Sequence, residues 1–165
     1  MSPRVPEPHL SAWQALLHAH ASVVARVEDA LTEAGLPPLA WYDVLWALRS
    51  APGRRVRMAE LAGRLTLSRG GLTKLAGRLE AAGLLRREPA RDDGRGVYAV
   101  LTEAGEALLR KMWPVYSHVL RETFVETISA DEAAAITAGL RRATAAATPG
   151  ASPQGELHQA NGRAS

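Results

Sequence analysis

The stretch LSRGGLTKLAGRLEAAGLLRREPARDDGRG, which runs from Leu67 to Gly96, decides the fold because an amphipathic helix is followed in it by a charged turn. Ser68 can cap this helix at its start, and Gly83 can end it. One sector of the helix is apolar and consists of Leu72, Leu75, Ala76, Leu79 and Ala82. The opposite sector consists of Arg69, Gly70, Thr73, Lys74, Gly77 and Arg78. The pattern predicts a helix over residues 68–82 with a buried apolar face and a basic free face.

Two short β-prone runs come after this helix. They are Leu84 to Glu88 and Val97 to Leu101. The eight residues between them, Pro89 to Gly96, are rich in turn formers. This arrangement predicts a β-hairpin with a charged tip.

Further helices are expected before the basic one. The segment RMAELAGRL, residues 57–65, has apolar residues at helical spacing, and residues 66–68 connect it to the basic helix. Two helices joined by so short a turn indicate a helix-turn-helix. Apolar periodicity predicts a long helix over residues 9–34 and a shorter one over residues 38–50, which contain WYDVLWAL.

Two more helices are expected after the hairpin. Thr102 can cap a long helix that reaches about residue 127, and Ser129 with Glu132 can form a capping box for a last, alanine-rich helix. The expected fold class is therefore mainly α with a small β-hairpin wing. It is a winged helix-turn-helix with long N- and C-terminal dimerisation helices.

The 165 residues suit one domain. Three prolines near the start predict a flexible arm, and a C-terminal segment with almost no large apolar residue predicts a disordered tail. The expected organisation is an arm at 1–8, a winged-helix domain at 9–147 and a tail at 148–165. Within the domain, residues 9–35 and 102–147 are expected to dimerise and residues 38–101 to form the winged helix.

The charge is unevenly distributed along the chain. Between residues 49 and 98, twelve Arg and Lys residues accompany five Asp and Glu residues, whereas the rest of the chain has eight bases and twelve acids. A basic middle in an acidic frame is typical of a segment that binds a polyanion. An ordinary solvated basic face stays open as the alternative.

The free face of the basic helix and the hairpin tip carry the residue types that a DNA duplex requires, because arginine and lysine bind phosphates or guanine and small hydroxyls contact bases or phosphate. A mid-helix glycine such as Gly77 costs about 1 kcal/mol relative to alanine, and close approach of the backbone to DNA is one reason for it. In the tip we expect Asp93 to pair with Arg95 or Arg91 and so to aim a guanidinium group. The expected DNA-binding residues are Ser68, Arg69, Gly70, Thr73, Lys74, Arg78, Arg91 and Arg95.

Enzymatic and metal chemistry find little support in the sequence. G-x-S-x-G, Walker and G-x-G-x-x-G motifs are absent, and a chain without cysteine has no thiol nucleophile. His18 and His20 are two residues apart on a helix and point to different faces. We expect no enzyme, no cofactor and no metal site within the chain, and a metal held between two chains stays open. The chain has no run of 18 apolar residues and no signal-peptide core, so we expect a cytoplasmic protein with no membrane partner.

The run from Leu67 to Gly105 resembles the winged helix-turn-helix of MarR-type transcriptional regulators, and its D-x-R wing motif is present as Asp93, Gly94 and Arg95. The resemblance extends over about residues 9 to 147, including WYDVLWAL and the long flanking helices. It implies a homodimer whose first and last helices interlock and which binds a pseudo-palindromic operator. By this resemblance the major groove would be contacted by Ser68, Arg69, Thr73, Lys74 and Arg78, and the minor groove by Arg95.

The apolar stripes of the terminal helices indicate dimerisation independently, because they exceed what a small winged helix needs to cover. The expected dimerisation residues are Leu10, Trp13, Leu17, Met112 and Phe124. Packing of the two long helices against each other within one chain is the alternative. In a two-fold dimer, the two recognition helices would lie about 34 Å apart, one turn of DNA.

The resemblance also implies a small aromatic or anionic effector in a cleft between the dimer helices and the winged domain. The candidate lining residues are Trp13, His20, Asp43, Trp46, Trp113 and Tyr116. The alternative for the aromatic side chains is an ordinary hydrophobic core.

The functional hypothesis is a homodimeric transcriptional regulator that binds double-stranded DNA, in its simplest form a repressor relieved by an effector. Two alternatives are an architectural DNA binder without sequence preference and a ligand- or protein-binding domain that keeps the fold without binding DNA. The ratio of specific to non-specific affinity distinguishes the first, and the absence of any DNA binding distinguishes the second.

Overall fold

The computed structural model describes residues 4–65, 69–90 and 96–147. The described elements in chain order are α1 Glu7–Glu33, α2 Leu39–Arg49, β1 Arg55–Arg57, α3 Met58–Arg64, α4 Arg69–Ala81, β2 Leu85–Pro89, β3 Val97–Leu101, α5 Glu103–Leu120 and α6 Ala130–Ala147. A 3-10 turn at Pro52–Arg54 precedes β1, and a π-helical turn at Arg121–Val125 follows α5. The predicted fold class, mainly α with a small wing sheet, is confirmed.

The three strands form one antiparallel sheet in the order β1-β3-β2. The predicted hairpin is confirmed, with Leu85 opposite Leu101 and Pro89 opposite Val97. Strand β1 was not predicted, because its three residues are too short to show an alternation. Its central Val56 is buried opposite Ala99, so this strand extends the sheet on the side away from β2.

Helix α2 is the centre of the core. Seven of its eleven residues are buried, and α1, α4 and α5 surround it. Leu72, Ala76 and Leu79 of α4 are buried as the apolar sector predicted. The placement of Met112 on a dimer surface was wrong, because its side chain is 0% exposed within the single chain. It shares one face of α5 with the buried Leu109, three residues earlier, and that face contacts the core.

The helix ends follow their capping residues. Gly35, with φ +63°, and the bond from Leu36 N to Leu31 O end α1 as the sequence predicted. Helix α1 begins at Glu7, two residues before the predicted start, because Pro8 is compatible with a first helical turn. Glu28 of α1 accepts a bond from the Leu39 amide at 3.1 Å and thereby caps α2 from another helix.

The hairpin joins α5 through a tight junction. The Thr102 hydroxyl accepts a bond from Gly105 N at 3.1 Å and donates one to Gly83 O at 2.7 Å, so the predicted cap also ties the helix to the start of the hairpin. Gly105 lies against the carbonyl of Leu84, where a side chain would collide with backbone. The predicted capping box before α6 is confirmed, with Ser129 N 2.9 Å from the Glu132 carboxylate.

The long terminal helices leave apolar surface uncovered. Leu10, Trp13 and Leu17 of α1 are 39%, 56% and 49% exposed, and Phe124 is 40% exposed. In α6, which is described along its whole length, every residue is at least partly exposed. Among the described residues, none of the helices is long and apolar enough to cross a membrane.

Candidate nucleic-acid interface

The helix-turn-helix is formed by α3 and α4, and the packing of α4 decides which of its residues face solvent. Three residues of its apolar sector, Leu72, Ala76 and Leu79, are buried, whereas Leu75 is half-buried and Ala82 is exposed. The side opposite the buried residues exposes Gly70, Thr73, Lys74 and Arg78. These residues extend over two helical turns, a length of about 12 Å along the axis. The structure therefore brings four of the expected DNA-binding residues together on one face.

The other expected DNA contacts lie outside the described residues. They are Ser68, Arg91, Arg95 and the side chain of Arg69, together with the bracing Asp93. Their roles stay predictions.

Ion pairs divide the basic residues of the central segment into two groups. In the described part of the segment, five arginines have a carboxylate within 3.5 Å, namely Arg49, Arg54, Arg64, Arg86 and Arg87. Three of them have a carboxylate that no other arginine in the described ranges shares, whereas Arg49 and Arg54 share one, so their charge is only partly balanced. In the described part of the chain, Lys74, Arg78 and Arg55 have no carboxylate within ion-pair distance. Two of these three bases lie on the free face of α4, so part of the segment's positive charge is available there to a polyanion.

One buried carboxylate is shared by Arg49, Arg54 and Arg110. Glu106 of α5 is 8% exposed, and its oxygens lie 3.4 Å from Arg49, 3.5 Å from Arg54 and 3.6 Å from Arg110. The cluster ties the end of α2 and the following turn to α5. Sequence reasoning counted Arg49 and Arg54 toward a polyanion surface because Glu106 lies outside the basic segment.

Arg87 of β2 connects the hairpin to α4. It donates a bond to Thr73 O at 3.4 Å and lies 3.3 Å from the Glu80 carboxylate, which also accepts a bond from its backbone amide at 3.1 Å. A Cβ at Gly77 would lie 3.7 Å from the Arg87 guanidinium, which is an ordinary van der Waals contact. Steric conflict with Arg87 therefore does not account for this glycine, and close approach to DNA stays a prediction. Sequence reasoning missed both Glu80 and Arg87, since their contact depends on the angle between α4 and β2.

Three of the effector candidates are brought together around Tyr42, which was not among them. The ring of Tyr42 lies 5.9 Å from Trp46, 6.5 Å from Trp113 and 5.2 Å from Tyr116. Trp46 is only 5% exposed, so much of this cluster is core, as the alternative interpretation had it. Within the described chain, the Tyr42 hydroxyl is buried without a hydrogen-bond partner.

Asp43 lies next to this cluster on α2. The side chain retains solvent exposure, yet the loss of part of its hydration, and then the nearby charge of Glu28, raise its pKa to about 6. Burial, and then the charge of Asp43, also raise the pKa of Tyr116. Asp43 therefore lies within electrostatic range of Glu28 and Tyr116, although it is itself exposed to solvent.

Trp13 and His20 are exposed on α1, away from this region. Trp13 precedes Glu28 by fifteen residues on the same helix, which corresponds to about 22 Å along its axis. Trp13 therefore does not line a common cavity with Asp43 in one chain. A separate open groove between α1 and α5 is lined by Ala30, Glu33, Ala34, Pro114, Val115 and His118.

Comparisons with known proteins agree with the fold. A model of the MarR family matches residues 34–96. The multiple antibiotic resistance protein MarR of Escherichia coli (strain K12) is 30% identical over 118 residues, which cover 69% of this chain and 81% of that protein.

Two solved structures extend the comparison to nearly the whole chain. Sco3205, a MarR family transcriptional regulator from Streptomyces coelicolor solved in complex with DNA, superposes with a TM-score of 0.80 at 25% identity over 93% of this chain and 97% of that one. BpsR of Bordetella bronchiseptica, whose DNA binding is regulated by 6-hydroxynicotinic acid, superposes with a TM-score of 0.69 at 25% identity over 81% and 98%. The chain therefore belongs to the MarR family of transcriptional regulators, which are DNA-binding winged-helix proteins and not enzymes.

Proposed function

We propose that this chain is a homodimeric repressor that binds a pseudo-palindromic operator and is released from it by a small effector. The observation that carries the proposal is the exposed face of α4, where Lys74 and Arg78 have no carboxylate partner among the described residues. Such bases neutralise phosphates or bind guanine in the major groove. Occupation of the operator then blocks promoter access.

The homodimer is supported by the terminal helices. An amphipathic helix gains most of its stability by packing its apolar face, yet each residue of α6 keeps some exposure in the single chain. A second copy is the partner that covers α6 and the exposed stripe of α1. In this arrangement Leu10, Trp13, Leu17 and Phe124 pack across the two-fold axis.

In this dimer, different segments of the chain have different roles. Residues 9–35 and 102–147 form the dimerisation region and residues 38–101 the DNA-binding region. The protein acts in the cytoplasm, where its DNA is. At the operator, Ser68, Arg69, Gly70, Thr73, Lys74 and Arg78 serve the major groove, and Arg91 and Arg95, oriented by Asp93, serve the minor groove.

The effector is a small aromatic molecule bound near Asp43, Trp113 and Tyr116, and Trp46 forms the wall behind them. His20 and Trp13 join this site only from a second subunit, because Trp13 lies too far along α1 in the same chain. An anionic effector would bind with Asp43 protonated, which its raised pKa of about 6 favours. Effector binding would change the separation of the two recognition helices and so release the operator.

The experiment is a comparison of Lys74→Ala and Arg78→Ala with Arg26→Ala, a matched removal of one exposed charge on α1, where Arg26 pairs with Glu122 at 3.5 Å. Loss of one phosphate contact per subunit lowers the slope of log K against log salt by about 1.8 per dimer, and loss of a base contact weakens binding by about 1 to 3 kcal/mol with relaxed specificity. Arg26→Ala should do neither.

Two results would overturn the proposal. Equal affinity for operator and random duplex at matched salt favours the architectural binder. Failure to bind any genomic fragment at low salt favours a domain that has kept only the fold.

A further inference from the structure

The sheet has a second basic surface that faces away from the core. Alternation along β1 buries Val56 and turns Arg55 and Arg57 to the outer face, where Arg57 lies opposite Tyr98 of β3. Arg86 and Glu88 of β2 lie on the same face and form an ion pair at 2.8 Å. The other two arginines of this face, Arg55 and Arg57, lie on β1. We call Arg55, Arg57 and Tyr98 the outer wing face.

Two guanidinium groups share one aromatic ring in the outer wing face. The Arg55 guanidinium carbon lies 4.8 Å and that of Arg57 5.2 Å from the centre of the Tyr98 ring. Arg57 Nε also donates a hydrogen bond to the Tyr98 hydroxyl at 3.1 Å. Stacking on a ring fixes the planes of both guanidinium groups. Each arginine side chain therefore loses less conformational freedom when it binds an anion. Arg55 is exposed and has no carboxylate partner in the described ranges.

The position of this face relative to DNA follows from the strand order. Helix α4 contacts β2 through Arg87, and β1 is at the opposite edge of the sheet. If the tip enters the minor groove through Arg95, Tyr98 follows it by three residues and lies at most about 10 Å away. The minor groove is about 6 Å wide, so the sugar-phosphate backbones that border it lie within reach of the outer wing face.

We propose that the outer wing face is an additional phosphate-binding surface that contacts operator DNA on the side of the wing remote from the recognition helix. The ligand is the backbone of the flanking duplex, and Tyr98 is a positioning residue that holds the two arginines. The inference rests on the proposed function, since it requires an operator to which α4 is already bound. It predicts that the protein protects and prefers DNA beyond the two half-sites.

The test compares a short operator duplex, trimmed to the two half-sites, with a long one extended by one helical turn, about 10 bp, at each end. The wild-type protein should bind the long duplex more tightly and with a steeper salt dependence. Arg55→Ala should lower the long-duplex slope of log K against log salt by about 1.8 per dimer, one phosphate per subunit, and leave the short-duplex affinity unchanged. Between 50 and 200 mM salt, this slope difference changes the ratio of wild-type to Arg55→Ala affinity for the long duplex by about twelvefold.

Two variants complete the test. Arg26→Ala removes one charge elsewhere and should preserve the preference for the long duplex. Tyr98→Leu keeps both arginines but removes the ring that orients them, and it should reduce this preference as Arg55→Ala does. An Arg55→Ala protein that keeps the preference for the long duplex, or that loses affinity equally for both duplexes, would refute the proposed phosphate-binding role of the outer wing face. Absence of binding to either duplex by the wild type would instead refute the proposed function.

Discussion

Replacing Gly105 with alanine should destabilise the protein although alanine is the better helix former. A Cβ at this position would collide with the Leu84 carbonyl oxygen and lie 2.8 Å from Leu101 Cδ1. The carbonyl cannot move freely, because it accepts a bond from Thr102 N at 3.3 Å and the preceding carbonyl of Gly83 accepts one from the Thr102 hydroxyl at 2.7 Å.

The magnitude follows from three opposing contributions. Overpacking destabilises by about 1 to 3 kcal/mol. A lost hydrogen bond at the junction adds about 1 kcal/mol. The intrinsic preference of a helix for alanine returns at most about 1 kcal/mol. We therefore expect the free energy of unfolding to fall by about 1 to 3 kcal/mol.

The assay is equilibrium unfolding in urea at one fixed protein concentration, because a dimer's stability depends on concentration. The matched control is Gly63→Ala, since Gly63 is a helical glycine of α3 with open space where the Cβ would be. The control should be neutral or slightly stabilising. Equal stability of the two variants would show that the hairpin does not pack against α5 as described.

Asp43→Asn should raise stability at neutral pH and lose that effect as the pH falls toward 4, which thermal melts across the pH range would show. The folded-state pKa of about 6 lies above the ordinary 3.8, so the native state holds the proton more tightly and wild-type stability falls as pH rises through this window. Because the side chain is exposed to solvent, we expect the free energy of unfolding to rise by no more than about 1 kcal/mol. A gain in stability that is the same at pH 4 would contradict the raised pKa of Asp43. Leu140→Asp, on the exposed side of α6, should shift the protein to monomers in light scattering, and a stable dimer would remove α6 from the interface. Met112→Ala should instead lower the free energy of unfolding by about 2 to 5 kcal/mol, and dissociation of a still-folded protein would place Met112 back at the dimer surface.

The helix-turn-helix and hairpin were predictable because their signals are local. Apolar spacing over α4, the stop at Gly83 and the turn-forming run after Pro89 each depend on residues a few positions apart. Such patterns predict the folded structure because the spacing of the apolar residues matches the single buried face of the element.

The parts that were missed depend on contacts between distant residues. Strand β1 is recognisable only by pairing with β3, about forty residues later. The same holds for Glu106, which pairs with both Arg49 and Arg54, and for Arg87, which lies beside Gly77. Residue type alone cannot say which charge a carboxylate will balance.

The ambiguity at Met112 has a related cause. Helix α5 carries apolar residues on more than one face, and only the packing of α2 decides which face belongs to the core. Sequence periodicity therefore predicted the helix correctly but did not separate core residues from interface residues on it.

The central claim is that two copies of α4 bind two symmetric half-sites. Selection of bound fragments from genomic DNA by the full-length protein, followed by measurement of the mass of the protein-DNA complex, tests it most directly. We expect enriched fragments that share an inverted repeat with half-site centres about 10 bp apart, each bound by two chains. Enrichment without a shared repeat, or a single chain bound to each site, would contradict it.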